Sequence, residues 1–136
     1  MRVLLAACLS AVIVGDARAH HGPYGRFSID ETIDFRGTVV AVEWINPHAF
    51  VLVRTELDGE EMTMRIELQG LRQLTDKGWH GDELKIGETV KVVNAAREIR
   101  DPSTLVCCAR IYDLTGKEFY TDPRRSEPSL AGKLAE

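Results

Sequence analysis

Past residue 20 the apolar positions of this chain recur mainly at every second residue, the spacing of half-buried β-strands. Thr32 to Ile45 is rich in β-branched residues and reads as one long strand, with Gly37 at a bulge or bend. Asn46-Pro47 interrupts it, because proline donates no ladder hydrogen bond and restricts the residue before it. His48 to Leu57 is the second strand, with Phe50 and Leu52 alternating against Val51 and Val53. Asp58-Gly59 is a hairpin signal, and Met62, Met64, Ile66 and Leu68 give the third strand one apolar face. The period changes over Gly70 to Gly78, where Leu71 and Leu74 share a helical face and Gly78 follows as a C-cap. Further strands are expected from Thr89 to about Arg97 and from Leu105 to Leu114. The Thr115-Gly116 turn then leads into a short edge segment, Lys117 to Tyr120.

Three meandering strands, one short helix and then two or more strands is the order of an OB-type barrel. The expected fold is therefore all-β, a small OB-like barrel of five or six strands with one short helix. Val39, Ala41, Val51 and Val53, or their alternates, would line its interior. A small β-sandwich is the alternative, which the helix between the third and fourth long strands disfavours. The expected organisation is a signal peptide over residues 1–19, a single β-barrel domain over 20–121, and a polar, loosely ordered tail over 122–136.

The N-terminal segment is what suggests export. Arg2 supplies a short positive region, Val3 to Val14 is almost unbroken apolar sequence, and Ala17-Arg18-Ala19 is a small-x-small cleavage site. Leu5-Ala6-Ala7-Cys8 looks like a lipoprotein box, but the apolar stretch before Cys8 is too short for a signal core. The expected location is the periplasm or the extracellular medium, after cleavage near Ala19. Composition narrows the function classes. The 136 residues suit one domain, and a net charge of −4 argues against sequence-independent nucleic-acid binding, which needs a basic surface. No later apolar run is long enough for a transmembrane segment in the mature chain. Cys107 and Cys108 could pair in an oxidising compartment, but adjacent cysteines close a strained ring that is rarely structural, so they read as two small buried hydrophobes in a strand, or as one buried and one exposed.

Candidate chemistry centres on histidine. Processing after Ala19 places His20-His21 at the new N-terminus, where the α-amine and imidazole of one residue chelate a single metal ion. Such donors suit Cu(II), and His48 or His21 would supply a third nitrogen in a brace-like site. Cleavage after Ala17 would leave Arg18-Ala19-His20, an amine-x-His tripeptide that also wraps Cu(II). His48 follows Trp44-Ile45-Asn46-Pro47 at a strand break, where a rigid loop can aim it. His80, beside Trp79 and Gly81, reads as a surface residue, and Met62 and Met64 as core. No serine sits in a Gly-x-Ser-x-Gly elbow; Glu43 and Glu67, on neighbouring strand segments, could flank a site, but surface pairs of this kind are common, so catalysis finds no support.

His20-His21, Phe27, Gly37-Thr38-Val39 and Glu43-Trp44-Ile45-Asn46-Pro47-His48-Ala49 together resemble an uncharacterised family of small exported bacterial proteins, a domain of unknown function. The likeness continues through Ile66-Glu67-Leu68, Leu74, Gly78-Trp79 and Leu84-Lys85-Ile86-Gly87-Glu88, and covers roughly His20 to Leu114. The chain differs in Gly22-Pro23-Tyr24, where relatives continue with Ser-Phe, and in its Cys107-Cys108 pair. The resemblance implies export and a small β-rich domain, supplies no activity, and strengthens the case for metal through its two His-bearing motifs. The expectation is a β-barrel whose His20, His21 and His48 bind a transition metal, copper first and zinc second, for carriage, buffering or sensing. One alternative is a module binding a peptide, glycan or small ligand through Trp44, Phe50 and Trp79. Another is an accessory subunit of an envelope complex tethered by Arg124-Arg125, with a protein partner that the residues do not identify.

Overall fold

A computed structural model describes residues 25–100 and 104–124. The chain order is β1 (Phe27–Glu43), β2 (Phe50–Leu57), β3 (Glu60–Glu67), α1 (Leu71–Asp76), β4 (Thr89–Glu98), β5 (Leu105–Cys107), β6 (Arg110–Tyr112) and β7 (Glu118–Thr121). Strands β1, β2, β3, β5 and β4 hydrogen-bond in that order, and β4 returns to β1, so five strands close into a barrel. The β3–β5 pairing is parallel and the others are antiparallel. Strands β6 and β7 extend the sheet beyond β4. The all-β, OB-like barrel with one short helix is thus the observed architecture.

Closure depends on β1 changing partners partway along its length. Its N-terminal half pairs with β4 and its C-terminal half with β2, and Thr38 faces both Thr89 and Arg54. The turn of the strand at this point needs Gly37. A Cβ there would fall onto the carbonyl oxygen of Arg54 and 2.6 Å from Val53 Cγ1. The β2–β3 hairpin turns at Asp58 (φ 55°) and Gly59 (φ 83°), two successive left-handed residues of the kind that match strand twist.

Val39, Val51, Val53, Met64, Ile66, Val90, Val92, Val106 and Ile111 are fully buried and fill the barrel. Ala41 is a correction to the expected interior. The β1–β2 register shifts between Val39 and Ala41, so the inward position after Val39 is Val42, opposite Val51, and Ala41 turns to the outer side beside Leu52. A bulge thus changes which residues of β1 face the core.

The strand expected from Leu105 to Leu114 is broken at Cys108, whose φ is +61°. Val106 and Ile111 both belong to the main core although an odd number of positions separates them. Strict alternation forbids that, so the side-chain phase must flip between them. Strand β4 flips at the facing position, where Asn94 has φ 58°. The register therefore stays in step across the break, with Ala96 opposite Cys107 before it and Val93 opposite Arg110 after it.

Cys107 and Cys108 are both buried, and they form the disulfide that the sequence disfavours. They pack with Phe27 and Ala96 in a small second core, with Ile29 and Leu105 at its margin. The phase flip supplies the reason: it lets neighbouring side chains that would point to opposite faces of a strand meet on one side. Beyond β7 the folded domain continues through Asp122, 2% exposed, to Arg124, inside the segment expected as a polar tail.

Candidate functional site

The loop between β1 and β2 carries His48 on a well-braced backbone. Ala49 N–H donates to the Gln69 carbonyl (3.1 Å) and the Ala49 carbonyl accepts from Leu68 N–H (2.9 Å), which extends the β2–β3 ladder up to the histidine. Gly70 backs the loop, since a Cβ there would lie 2.8 Å from the Pro47 carbonyl oxygen. The Asn46–Pro47 peptide is cis.

From this loop His48 reaches Glu67, with Nδ1 2.9 Å from Oε1. Glu67 is only 2% exposed and is held from both sides. Arg26 Nη1 donates to its Oε2 (2.9 Å) and Arg124 Nη1 to its Oε1 (3.1 Å). Arg124 also donates through Nη2 to the carbonyls of Glu67 (3.3 Å) and Leu68 (3.4 Å). Asp122 fixes Arg124 in turn, accepting from its Nε (2.9 Å) and Nη2 (2.5 Å). Tyr120 OH donates to the same carboxylate at 3.1 Å.

Burial alone would lower the pKa of Arg124, but hydrogen bonds and charge from Asp122, with Glu67 behind them, outweigh it and push it above its usual range. Burial raises the Tyr120 phenol, and the Asp122 charge adds to that rise, so it remains a neutral donor. Residues 120–124 thus form a strap that lays a guanidinium across Glu67. The arrangement gives His48 a defined chemistry. Nδ1 is the ring nitrogen turned toward Glu67, which leaves Nε2 on the far side of the ring, the posture of a metal-binding histidine with its outer partner in place. The His48 side chain is 39% exposed.

His20, His21 and Cys8 lie outside the described residues, as do Arg125 and the cleavage segment. Among the described residues no three His, Cys, Asp or Glu side chains come together as a metal cluster. His80 is exposed, and its backbone N–H is bound by Glu83 Oε1 at 2.7 Å. The three aromatic candidates are separately engaged. Trp79 is in the core, with its indole N–H donating to the Phe119 carbonyl (3.0 Å). Phe50 lies under the Arg65 guanidinium, 3.6 Å from the ring centre, and Arg65 is bound to Glu43. Trp44 packs against Gly81. Met64 is fully buried and Met62 packs against the core. Arg124, one half of the expected tether, is committed to Asp122 and Glu67.

Glu67 is the residue whose importance the sequence reading missed. It falls on the outer face of β3, between Ile66 and Leu68, where alternation predicts exposure. Its charged partners Arg26 and Arg124 come from opposite ends of the described residues. The only local hint is its position next to an inward run that ends one strand away from His48.

Fold and site together define a class: a closed, OB-like β-barrel with a loop-borne histidine anchored on a buried carboxylate. The chain belongs to the family of unknown function DUF6152, which matches residues 8–104. That span includes His48 and Glu67 and stops short of Cys107, Cys108 and the 120–124 strap. No curated protein and no solved structure matches the chain.

Proposed function

We propose that this is an exported metal-binding β-barrel, taking copper first and zinc second, that serves in metal carriage, buffering or sensing in the periplasm. The observation that carries the reading is the Nδ1 contact of His48 with buried Glu67, which leaves Nε2 as the donor nitrogen. The chain path adds support. Arg26, which touches the same carboxylate, follows His20 by six residues, a reach of about 20 Å when extended. A mature N-terminus at His20 is therefore long enough to bring its amine and imidazole to His48. Three nitrogens of this kind form a T-shaped set favoured by Cu(II), whereas zinc would need a fourth ligand in a tetrahedral arrangement.

The deciding experiment titrates Cu(II) into protein beginning at His20 and into a form with residues left ahead of it, following the metal by electron paramagnetic resonance. Tight binding is expected only for the first form, because the α-amine is a ligand. His48→Ala weakens it, and His80→Ala leaves it unchanged. Equal, weak binding by both forms would overturn the copper reading and favour a barrel that takes an organic ligand.

A further inference from the structure

Of the three non-glycine residues with positive φ among the described residues, Asp58 and Asn94 are types that tolerate the left-handed region, and Cys108 is not. Cys108 is bonded through sulfur to its neighbour Cys107. The disulfide acts where a glycine would ordinarily stand, but unlike a glycine it can be opened. Both sides of this residue bear on Glu67. Upstream, Cys107 is the register partner of Glu67 in the parallel β3–β5 ladder. It packs against Phe27, whose neighbour Arg26 binds Glu67 Oε2. Downstream, the Ala109 carbonyl accepts from Asp122 N–H at 3.2 Å, which seats the strap carrying Arg124 onto Glu67 Oε1. That same oxygen meets His48 Nδ1.

We propose that the Cys107–Cys108 disulfide is a redox latch on the 120–124 strap and, through Glu67, on the posture of His48. In the oxidised form Cys108 is locked left-handed, Ala109 presents its carbonyl to Asp122, and Arg124 and Arg26 hold Glu67 in place as the acceptor for His48. The sulfurs are buried, so an external dithiol reaches them when this segment opens locally; it gives them two electrons and two protons and leaves as its own disulfide. Cys108 then relaxes toward negative φ, the Ala109 carbonyl turns, the strap loosens, and Glu67 no longer fixes the imidazole. The functional consequence rests on His48 being a metal ligand: copper affinity falls about ten- to a hundredfold on reduction, the usual effect of losing an outer partner. The structural consequence does not depend on any metal.

The test is therefore made first on metal-free protein. The ring nitrogens of His48 and the Arg124 Nε–H are followed by 15N nuclear magnetic resonance in the oxidised chain, the phosphine-reduced chain, and two variants. Cys107→Ala with Cys108→Ala removes the latch. Cys107→Ala with Cys108→Gly removes the sulfurs but restores a residue at ease with positive φ. The expected result is a single Nδ1–H tautomer and a slowly exchanging Arg124 signal in the oxidised chain and the glycine variant. Both should be lost in the reduced chain and the alanine variant, with the barrel amides unchanged. Identical His48 signals in all four overturn the proposal, as does a glycine variant that behaves like the alanine one. A reduced chain that loses its folded amide spectrum makes the disulfide a staple and also ends it. Copper titration of the same four proteins then reads the metal reading separately.

Discussion

Glu67 accepts from two guanidinium groups and lies 2.9 Å from the His48 imidazole, almost entirely out of water. Removing a buried charge leaves its partners uncompensated, which typically costs about 3–5 kcal/mol. Arg26 is half exposed and can rehydrate, so the loss falls mainly on Arg124 and His48. Glu67→Gln should lower the melting temperature by calorimetry and weaken copper binding at a His20 terminus about ten- to a hundredfold. An unchanged affinity would show that His48 needs no anchor. Tyr120 gives a pH signature. Its folded pKa is raised above the ordinary tyrosine value of about 10, so its stabilisation is whole below that pH and declines as the pH climbs beyond it. Tyr120→Phe should cost about 1 kcal/mol at pH 8 through the lost Asp122 hydrogen bond. Its urea midpoint should then fall less steeply than that of the unaltered protein between pH 9 and 11. Parallel curves would remove Tyr120 from the alkaline limb.

Among the elements, strands with plain alternation were legible from their residues. The Met62–Met64–Ile66 face, the Asp58-Gly59 turn, the helix at Leu71 and the start of β4 at Thr89 all stand where local pattern puts them. What alternation hides is a change of phase. The bulge after Val39 and the flips at Asn94 and Cys108 each alter which side a residue faces, and local alternation carries no sign of them. The site was legible in the same uneven way. His48 stood out because a proline and a strand break surround it. Glu67 did not, because contacts supplied by residues far away in sequence, Arg26 and Arg124, leave no local period. Gly37 was visible as a bend, and its role is testable. Gly37→Ala pushes a methyl group into the Arg54 carbonyl and should destabilise the barrel by about 1–3 kcal/mol in urea unfolding. A neutral result would mean that β1 can shift without opening its seam.

At the scale of the molecule, closure makes one core serve five strands, so a hole anywhere inside is shared. Met64 is among the largest fully buried side chains, and Met64→Ala should cost about 2–5 kcal/mol in chemical unfolding. Closure also has a consequence in time, because β1 joins its neighbour in sequence along one half and a distant strand along the other. Asp34 and Asn94, hydrogen-bonded across the distant seam, are 60 residues apart. Pairing over such a separation loses more chain entropy than the β1–β2 turn does, and waits on it. One strand should therefore form at two speeds, with half of it an open template until β4 arrives. In pulsed hydrogen exchange during refolding, amides of the β1–β2 ladder around Val42 and Val51 should become protected before those around Phe35 and Val92. Protection that appears first along the β1–β4 seam would reverse that order and make the distant pairing the nucleus.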